Sequence, residues 1–93
     1  MFVVVSYDIA DDRRRLKVMK ALEGFGERVQ YSVFECRLKR QDLQRLKKRL
    51  KGLISQDEDD VRFYLLCEQC VPRIIPLGKA EVTPELHYRI VSR

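Results

Sequence analysis

A chain of 93 residues is long enough for one small domain, and such a chain buries only about 60 to 65% of its unfolded surface. Its hydrophobic content of 45% is ordinary for a globular protein, which excludes a disordered chain. The charge is less ordinary, because 19 Lys and Arg against 14 Asp and Glu give a net charge of +5 at pH 7.

The sequence has no apolar run of the length that spans a bilayer, and its first apolar run lacks the features of a secretory signal. Its 3 cysteines are an odd number and do not form a disulfide framework. We therefore expect no membrane association and a location in the cytoplasm.

The first predicted element is a strand that ends in an acid. Residues 2–6 are mostly apolar and β-branched, which favours a buried strand, and Tyr7 and Asp8 follow them directly. This placement is expected to hold the carboxylate of Asp8 on a rigid and partly desolvated mount. The alternative is that Asp8 only caps the next helix, but Asp11 and Asp12 lie closer to the helical pattern and suit that role better.

Two amphipathic helices and three further strands follow. Apolar residues at helical spacing predict helices over 12–23 and 42–54, and Gly24 and Gly26 mark the end of the first. Between residues 28 and 38 the apolar residues change from odd-numbered to even-numbered positions. This shift of apolar parity predicts two short strands joined by a bulge or tight turn. Residues 61–67 predict one more strand.

The order β-α-β-β-α-β predicts an α+β fold with both helices on one face of an antiparallel sheet. The other face would be open and apolar, so we expect a homodimer stacked sheet to sheet. Residues 73–77, which follow Pro72 and include Pro76, predict an edge strand that could pair across the dimer. The whole chain, 1–93, is predicted as a single domain, with a core over 1–67 and the edge strand and a tail over 68–93.

Positive charge is concentrated in the first half of the chain, where residues 13–51 hold fourteen Lys or Arg against four acids. Such an excess is typical of a surface that binds a polyanion. Part of it is explained as the solvated face of the second helix. This face does not explain the cations that lie close in sequence to the elements that flank Asp8, which are Arg13, Arg14, Arg15, Lys17 and Arg28. An acid beside cations suits phosphodiester chemistry, in which the acid holds a divalent metal.

Other patterns favour no chemistry. Cys67 and Cys70 form a CxxC, but there is no second CxxC and His87 is remote, so we interpret Cys67 as a packing residue at a strand end. The consecutive acids of residues 57–60 are interpreted as a solvated loop. No nucleophile elbow and no glycine-rich nucleotide loop is present.

Several motifs together resemble the CRISPR-associated protein two family, the small partner of the CRISPR integrase. They are YDI at residues 7–9, the basic start of the first helix, Gly26 and the segment RVQYSVFE at residues 28–35. The motifs cover roughly the first forty positions, and the order of elements extends the resemblance to about residue 67.

The resemblance implies a ferredoxin-like homodimer in which Asp8 from each chain faces its copy across the twofold axis. Asp8 would be the catalytic residue and Mg²⁺ ligand of an endonuclease that cleaves RNA or duplex DNA. The resemblance assigns phosphate contacts to Arg15, Lys17 and Arg28. Tyr7 and Phe34 would shape the site, although Phe34 equally suits the core.

The resemblance leaves two functions open. The first is a metal-dependent endonuclease that takes part in spacer acquisition and in defence against foreign nucleic acid. The second is a non-catalytic scaffold that grips duplex DNA beside the integrase subunit. A ribonuclease toxin on the same scaffold is a third and weaker alternative.

Overall fold

The computed structural model describes residues 1–78. The strands are β1 (Phe2–Asp8), β2 (Gly26–Gln30), β3 (Val33–Arg37) and β4 (Asp60–Leu66), and the helices are α1 (Asp12–Glu23) and α2 (Arg40–Leu53). The predicted order β-α-β-β-α-β is observed. The bounds of α1 are those predicted from the sequence, and α2 begins two residues earlier than predicted. No helix in the described part of the chain is long and apolar enough to cross a membrane.

The strands form one sheet in the order β2-β3-β1-β4, in which every neighbouring pair is antiparallel. The apolar strand β1 is therefore central, flanked by β3 and β4. The register between β2 and β3 slips at a bulge between Arg28 and Gln30, and a tight turn joins the two strands. The prediction of two short strands in this segment is confirmed.

Local signals in the sequence set the ends of α1. Asp11 is its N-cap, and the Asp11 carboxylate accepts a hydrogen bond of 2.9 Å from the backbone N–H of Arg14. This bond satisfies one of the donors that the first helical turn leaves unpaired. Gly24 ends the helix, and its N–H donates to the carbonyl of Ala21. Asp11 rather than Asp8 is thus the helix cap, as the sequence indicated.

The main core lies between the sheet and the two helices. Side chains alternate along a strand, so Val3, Val5 and Tyr7 of β1 point to the helices while Phe2, Val4, Ser6 and Asp8 point to the opposite face. Phe34 and Cys36 of β3 join the first set and are fully or almost fully buried. The helices contribute the apolar stripes that their spacing predicted, with these buried members: Val18, Ala21, Leu22, Leu43, Leu46 and Leu50.

The opposite face of the sheet is covered at one end by the chain itself. After β4, a 3-10 turn at Val71–Arg73 places Val71 against Phe2, and Val4, Leu66 and Ile74 pack around this pair. Val71 is only 2% exposed. The expectation that this whole face is open was therefore too simple. Within residues 1–78, the end of the face that carries Asp8 is the part left open.

The edge strand predicted at residues 73–77 does not form within the described chain. The 3-10 turn takes up its first residue, and residues 74–77 have no regular structure and no ladder partner in residues 1–78. A strand requires a neighbour to receive its hydrogen bonds, and the contact between Val71 and Phe2 directs this segment across the sheet face instead. The prediction of this strand is therefore wrong for the single chain. Its pairing across a dimer stays a prediction, and the tail at residues 79–93 lies outside the described residues.

Candidate functional site

Asp8 lies at the end of β1 on the open face of the sheet. Its side chain is exposed in the single chain, so the expected partial desolvation is not observed there. The backbone of Asp8 is fixed by its place in the central strand, where it pairs with Asp60 of β4. The rigid mount predicted from the sequence is thus present, and its acid is free to contact a partner or ligand.

The register of β1 and β4 brings a second acid beside the first. Asp8 and Asp60 are directly opposite residues of an antiparallel pair, so their side chains leave the sheet on the same face. Asp60 accepts a hydrogen bond of 3.0 Å from Nε of Arg62. Arg62 is two residues further along β4, so its side chain lies on the same face of the sheet as that of Asp60. Hydrogen bonds with Tyr64 and with Asp60 raise the pKa of Arg62, which stays charged.

Sequence reasoning assigned Asp60 no role, because it counted this residue with the acidic loop. The signal that identifies it is the pairing register, which is a tertiary property. Asp57 and Glu58 are exposed, as predicted for that loop. Asp59 differs: its side chain is fully buried and accepts from Nε of Arg14 at 2.8 Å and from the backbone N–H of Ser55 at 2.8 Å. The interpretation as a solvated loop is therefore wrong for Asp59, whereas Asp60 is exposed as expected but begins β4 instead of belonging to the loop.

Arg14 and Asp59 form a structural ion pair between α1 and the loop before β4. The Arg14 guanidinium and the N–H of Ser55 hold the pKa of Asp59 below its usual range, and the Asp59 carboxylate raises that of Arg14. Arg14 also contacts Glu58 at 3.1 Å. Its positive charge is thus largely used inside the protein, which removes one of the three consecutive arginines from the surface available to a polyanion.

A basic groove lies at the same end of the sheet but on the side of the helices. It encloses about 350 Å³, and it is lined by Tyr7, Asp12, Arg15, Leu16, Met19, Arg28 and Tyr31. Three of the residues singled out from the sequence, Tyr7, Arg15 and Arg28, therefore meet here. Because Tyr7 and Asp8 are successive strand residues, the groove and the exposed acid lie on opposite faces of the sheet.

Tyr31, in the turn between β2 and β3, organises the groove. Its carbonyl accepts hydrogen bonds from Nε and Nη2 of Arg28 at 3.1 and 2.8 Å and from the hydroxyl of Tyr7 at 3.3 Å. Its ring is 67% exposed, with the guanidinium carbons of Arg28 and Arg15 at 5.2 and 5.9 Å from the ring centre. An exposed aromatic ring between two guanidinium groups suits stacking of a base beside a phosphate. The sequence did not select Tyr31 for this role, although RVQYSVFE contains it.

The other groove residues are held in place by neighbouring backbone. Arg15 donates to the carbonyls of Ile9 at 2.8 Å and Ala10 at 3.3 Å, and it forms an ion pair with Asp12 that raises the pKa of Arg15. Burial raises the pKa of Tyr7, so its hydroxyl is a donor rather than an anion.

The remaining predicted residues lie apart from the groove. Lys17 is exposed on α1 and does not line it. Phe34 is 0% exposed and packs in the main core, with its ring centre 6.4 Å from that of Tyr7. Its position supports a core role, with an influence on the groove only through Tyr7.

Together these features define a small, basic α+β protein with an acid at the end of its central strand. The model of the family "CRISPR associated protein Cas2" matches residues 1–74. The chain belongs to this family, as its motifs indicated.

Known relatives and structures agree with this assignment. The chain is 45% identical over 80 residues to the "CRISPR-associated endoribonuclease Cas2 3" of Synechocystis sp., covering 86% of this chain and 87% of the relative. It is similar to the crystal structure of Streptococcus pyogenes Cas2 at pH 6.5, with a TM-score of 0.75, 36% identity and coverage of 84% and 100% of the two chains. A chain of a partial Cas6-RT-Cas1–Cas2 complex matches with a TM-score of 0.70, 31% identity and coverage of 82% and 89%.

Proposed function

We propose that the protein is a Mg²⁺-dependent endonuclease that cleaves phosphodiester bonds of RNA or DNA as a ferredoxin-like homodimer. The observation that carries this proposal is the exposed carboxylate of Asp8, at the end of a rigid central strand, on the part of the sheet face that the described chain leaves open. The relative from Synechocystis is named an endoribonuclease, which supports nuclease chemistry in this chain.

The acids of this face fit a divalent cation in chemical type. Mg²⁺ takes oxygen ligands and is held by one or two carboxylates together with waters and substrate phosphate. Asp8 supplies one carboxylate per chain, so two copies related by a twofold axis supply two, with Asp60 beside each. No three metal-ligating side chains converge within residues 1–78 of a single chain, which favours the dimer as the unit of function. When bound, Mg²⁺ neutralises phosphate charge and lowers the pKa of a bound water.

The basic groove on the other face of the sheet supplies the positive charge that binds and positions the nucleic acid. Arg15 and Arg28 line the basic groove and contribute fixed positive charge for the phosphate backbone. Lys17 adds charge on the exposed face of α1. The Tyr31 ring offers a stacking surface to an unpaired base, which favours a single-stranded segment in this groove.

A second candidate is a non-catalytic scaffold that binds duplex DNA in spacer acquisition beside the CRISPR integrase subunit. Its support is the similarity to a chain in a structure whose description names Cas1 with Cas2. On this alternative the arginines matter and Asp8 does not, so the same set of variants separates the two functions.

The test compares Asp8→Ala with Asp57→Ala, since Asp57 is an exposed acid away from the β1–β4 pair. Both proteins and the wild type are incubated with matched single-stranded RNA, single-stranded DNA and duplex DNA, with Mg²⁺ or with chelator. We expect Asp8→Ala to abolish cleavage while Asp57→Ala retains it, with the dimer and nucleic-acid binding preserved in both. Cleavage that survives Asp8→Ala and chelator would refute the nuclease proposal.

The scaffold alternative requires a second measurement. In a spacer-acquisition assay, Arg28→Glu should fail and Asp8→Ala should succeed if the protein acts only as a scaffold. An equal failure of the two variants would count against the scaffold and in favour of a catalytic or metal-binding role for Asp8.

A further inference from the structure

The turn after β4 carries two exposed thiols next to each other. Cys67 and Cys70 are both free and exposed, and their sulfur atoms are 3.3 Å apart. The interpretation of Cys67 as a packing residue is therefore wrong, because both side chains are exposed and neither belongs to a core cluster formed by residues 1–78. Exposed cysteines are uncommon in structural roles, since free cysteine is among the most buried residue types.

The turn that carries the thiols is anchored on both sides. β4 ends at Leu66, and the carbonyl of Cys67 accepts hydrogen bonds from the N–H groups of Cys70 at 3.0 Å and Val71 at 3.2 Å. Val71 is then buried against Phe2. The two sulfur atoms are thus kept close to each other by the backbone contacts of the turn.

Glu68, inside the turn, links it to the sheet. Its carboxylate forms an ion pair with Nη1 of Arg37, a β3 residue whose side chain is 12% exposed and whose guanidinium carbon lies 5.9 Å from the ring centre of Phe2. The thiols are therefore held on a defined surface of the fold.

We propose that Cys67 and Cys70 form a redox-active pair that reacts with small disulfides of the glutathione class and closes into an intrachain disulfide. The Cys67 thiolate attacks one sulfur of the small disulfide, which breaks its S–S bond and releases one thiolate that takes up a proton. Cys70 then loses its proton and attacks the sulfur of Cys67, and the second small thiol leaves. Two electrons and two protons pass from the protein to the small disulfide, which becomes two thiols.

The electrostatics assign different roles to the two cysteines. A hydrogen bond with Cys70 and the backbone N–H groups of Cys70 and Gln69 lower the pKa of Cys67, while the neighbouring Cys67 sulfur raises that of Cys70. The thiolate is the reactive form of cysteine, so Cys67 is the attacking residue and Cys70 the resolving one.

The alternative role of such a pair of thiols is to bind a soft metal ion. Structural zinc takes four ligands, and no group of three His, Cys, Asp or Glu residues converges anywhere in residues 1–78. Disulfide exchange needs only the two thiols that are already adjacent. The observations therefore favour redox chemistry, and this inference does not depend on nuclease activity.

The chain provides an internal control. Trypsin cleavage after Arg62 and Arg73 releases residues 63–73, with Cys67 and Cys70 as the only cysteines, whereas Cys36 falls in residues 29–37. Cys36 is 1% exposed in the main core and should not react in the folded protein. Disulfide formation and alkylation can then be scored for each site by mass spectrometry.

The full-length, folded protein is equilibrated in buffers of reduced and oxidised glutathione, quenched with acid, alkylated and digested. We expect residues 63–73 to lose two hydrogens as glutathione becomes oxidised and to regain them in reduced glutathione, while Cys36 stays reduced. Thiols that remain reduced in oxidised glutathione, or a disulfide that forms only after unfolding, would overturn the proposal.

Two single variants test the roles, and a metal assay tests the alternative. Cys70→Ser should accumulate a mixed disulfide with glutathione on Cys67, and Cys67→Ser should react several-fold more slowly through Cys70. Equal rates would overturn the assignment of the attacking thiol. Zinc bound in a one-to-one ratio that protects both thiols from alkylation would replace the redox pair with a metal site. Because none of these measurements uses nucleic acid, they are independent of the result for Asp8.

Discussion

We expect substitution by alanine to have opposite effects on the free energy of unfolding at Gly26 and at Gly52. Gly26 begins β2 beside Cys36 of β3, and a methyl group added to it would lie 2.9 Å from the Cα of Cys36 and closer still to the Glu35 carbonyl oxygen. Backbone atoms of a paired strand cannot move aside without disturbing the sheet. Gly52 lies in α2 with nothing within 4 Å of the same added atom.

The expected magnitudes follow from these surroundings. Gly26→Ala overpacks a strand pair and should lower the free energy of unfolding by roughly 1–3 kcal/mol. Gly52→Ala removes the entropic cost of glycine in a helix and should raise it by ~0.5–1 kcal/mol. The two variants change the sequence identically, so composition cannot explain the difference.

Urea unfolding followed by circular dichroism at one fixed protomer concentration measures both values, since association makes apparent stability concentration-dependent. A Gly26→Ala protein as stable as the wild type would refute the close approach of β2 and β3. A Gly52→Ala protein less stable than the wild type would refute the exposed helical position.

Three further predictions test other parts of the structure. Arg14 holds the pKa of Asp59 below its usual range, so the pair stabilises the fold at neutral pH, and this contribution is lost as the pH falls through the lowered pKa. Asp59→Asn should therefore be less stable than the wild type at pH 7. Urea melts at a series of pH values should show that this difference in stability shrinks on acidification. Tyr31→Ala should weaken binding of single-stranded RNA by about 1–3 kcal/mol in fluorescence titrations, whereas Tyr31→Phe should bind as the wild type does. Val71→Ala should cost about 2 kcal/mol in urea unfolding, and Ile75→Ala, at a position 82% exposed, should leave stability unchanged; equal effects would contradict the packing on Phe2.

Much of the fold was predictable because local signals in the chain agree with one another. Asp11 and Gly24 delimit α1 by capping chemistry, and the apolar stripe between them faces the sheet. The parity shift after residue 28 indicated two strands in one apolar segment, and the structure has two strands there, β2 and β3, with a bulge before Gln30.

Two of the features that sequence reasoning missed depend on long-range register or packing. Asp60 faces the same side as Asp8 only because β4 pairs with β1 in one register. The exposure of Cys67 and the path of the chain after β4 depend on the contact between Val71 and Phe2. The separation of Asp8 from the basic groove follows from the alternation of side chains along β1. This alternation could be read from the sequence, but the closeness of Asp8 to Arg15 along the chain suggested that the two lie together.

The central position of β1 affects the order in which the protein can fold as the ribosome makes it. β1 is synthesised before the other three strands of the sheet, yet its neighbours are β3 and β4, which lie 25 or more residues and more than 50 residues further along the chain. The apolar run of β1 is therefore unpaired when it first emerges from the ribosome exit tunnel, and the sheet is complete only after Leu66 has emerged. Such non-local pairing slows folding and exposes an aggregation-prone segment during translation. The charged helix α1, which follows immediately, is the first element available to shield that segment.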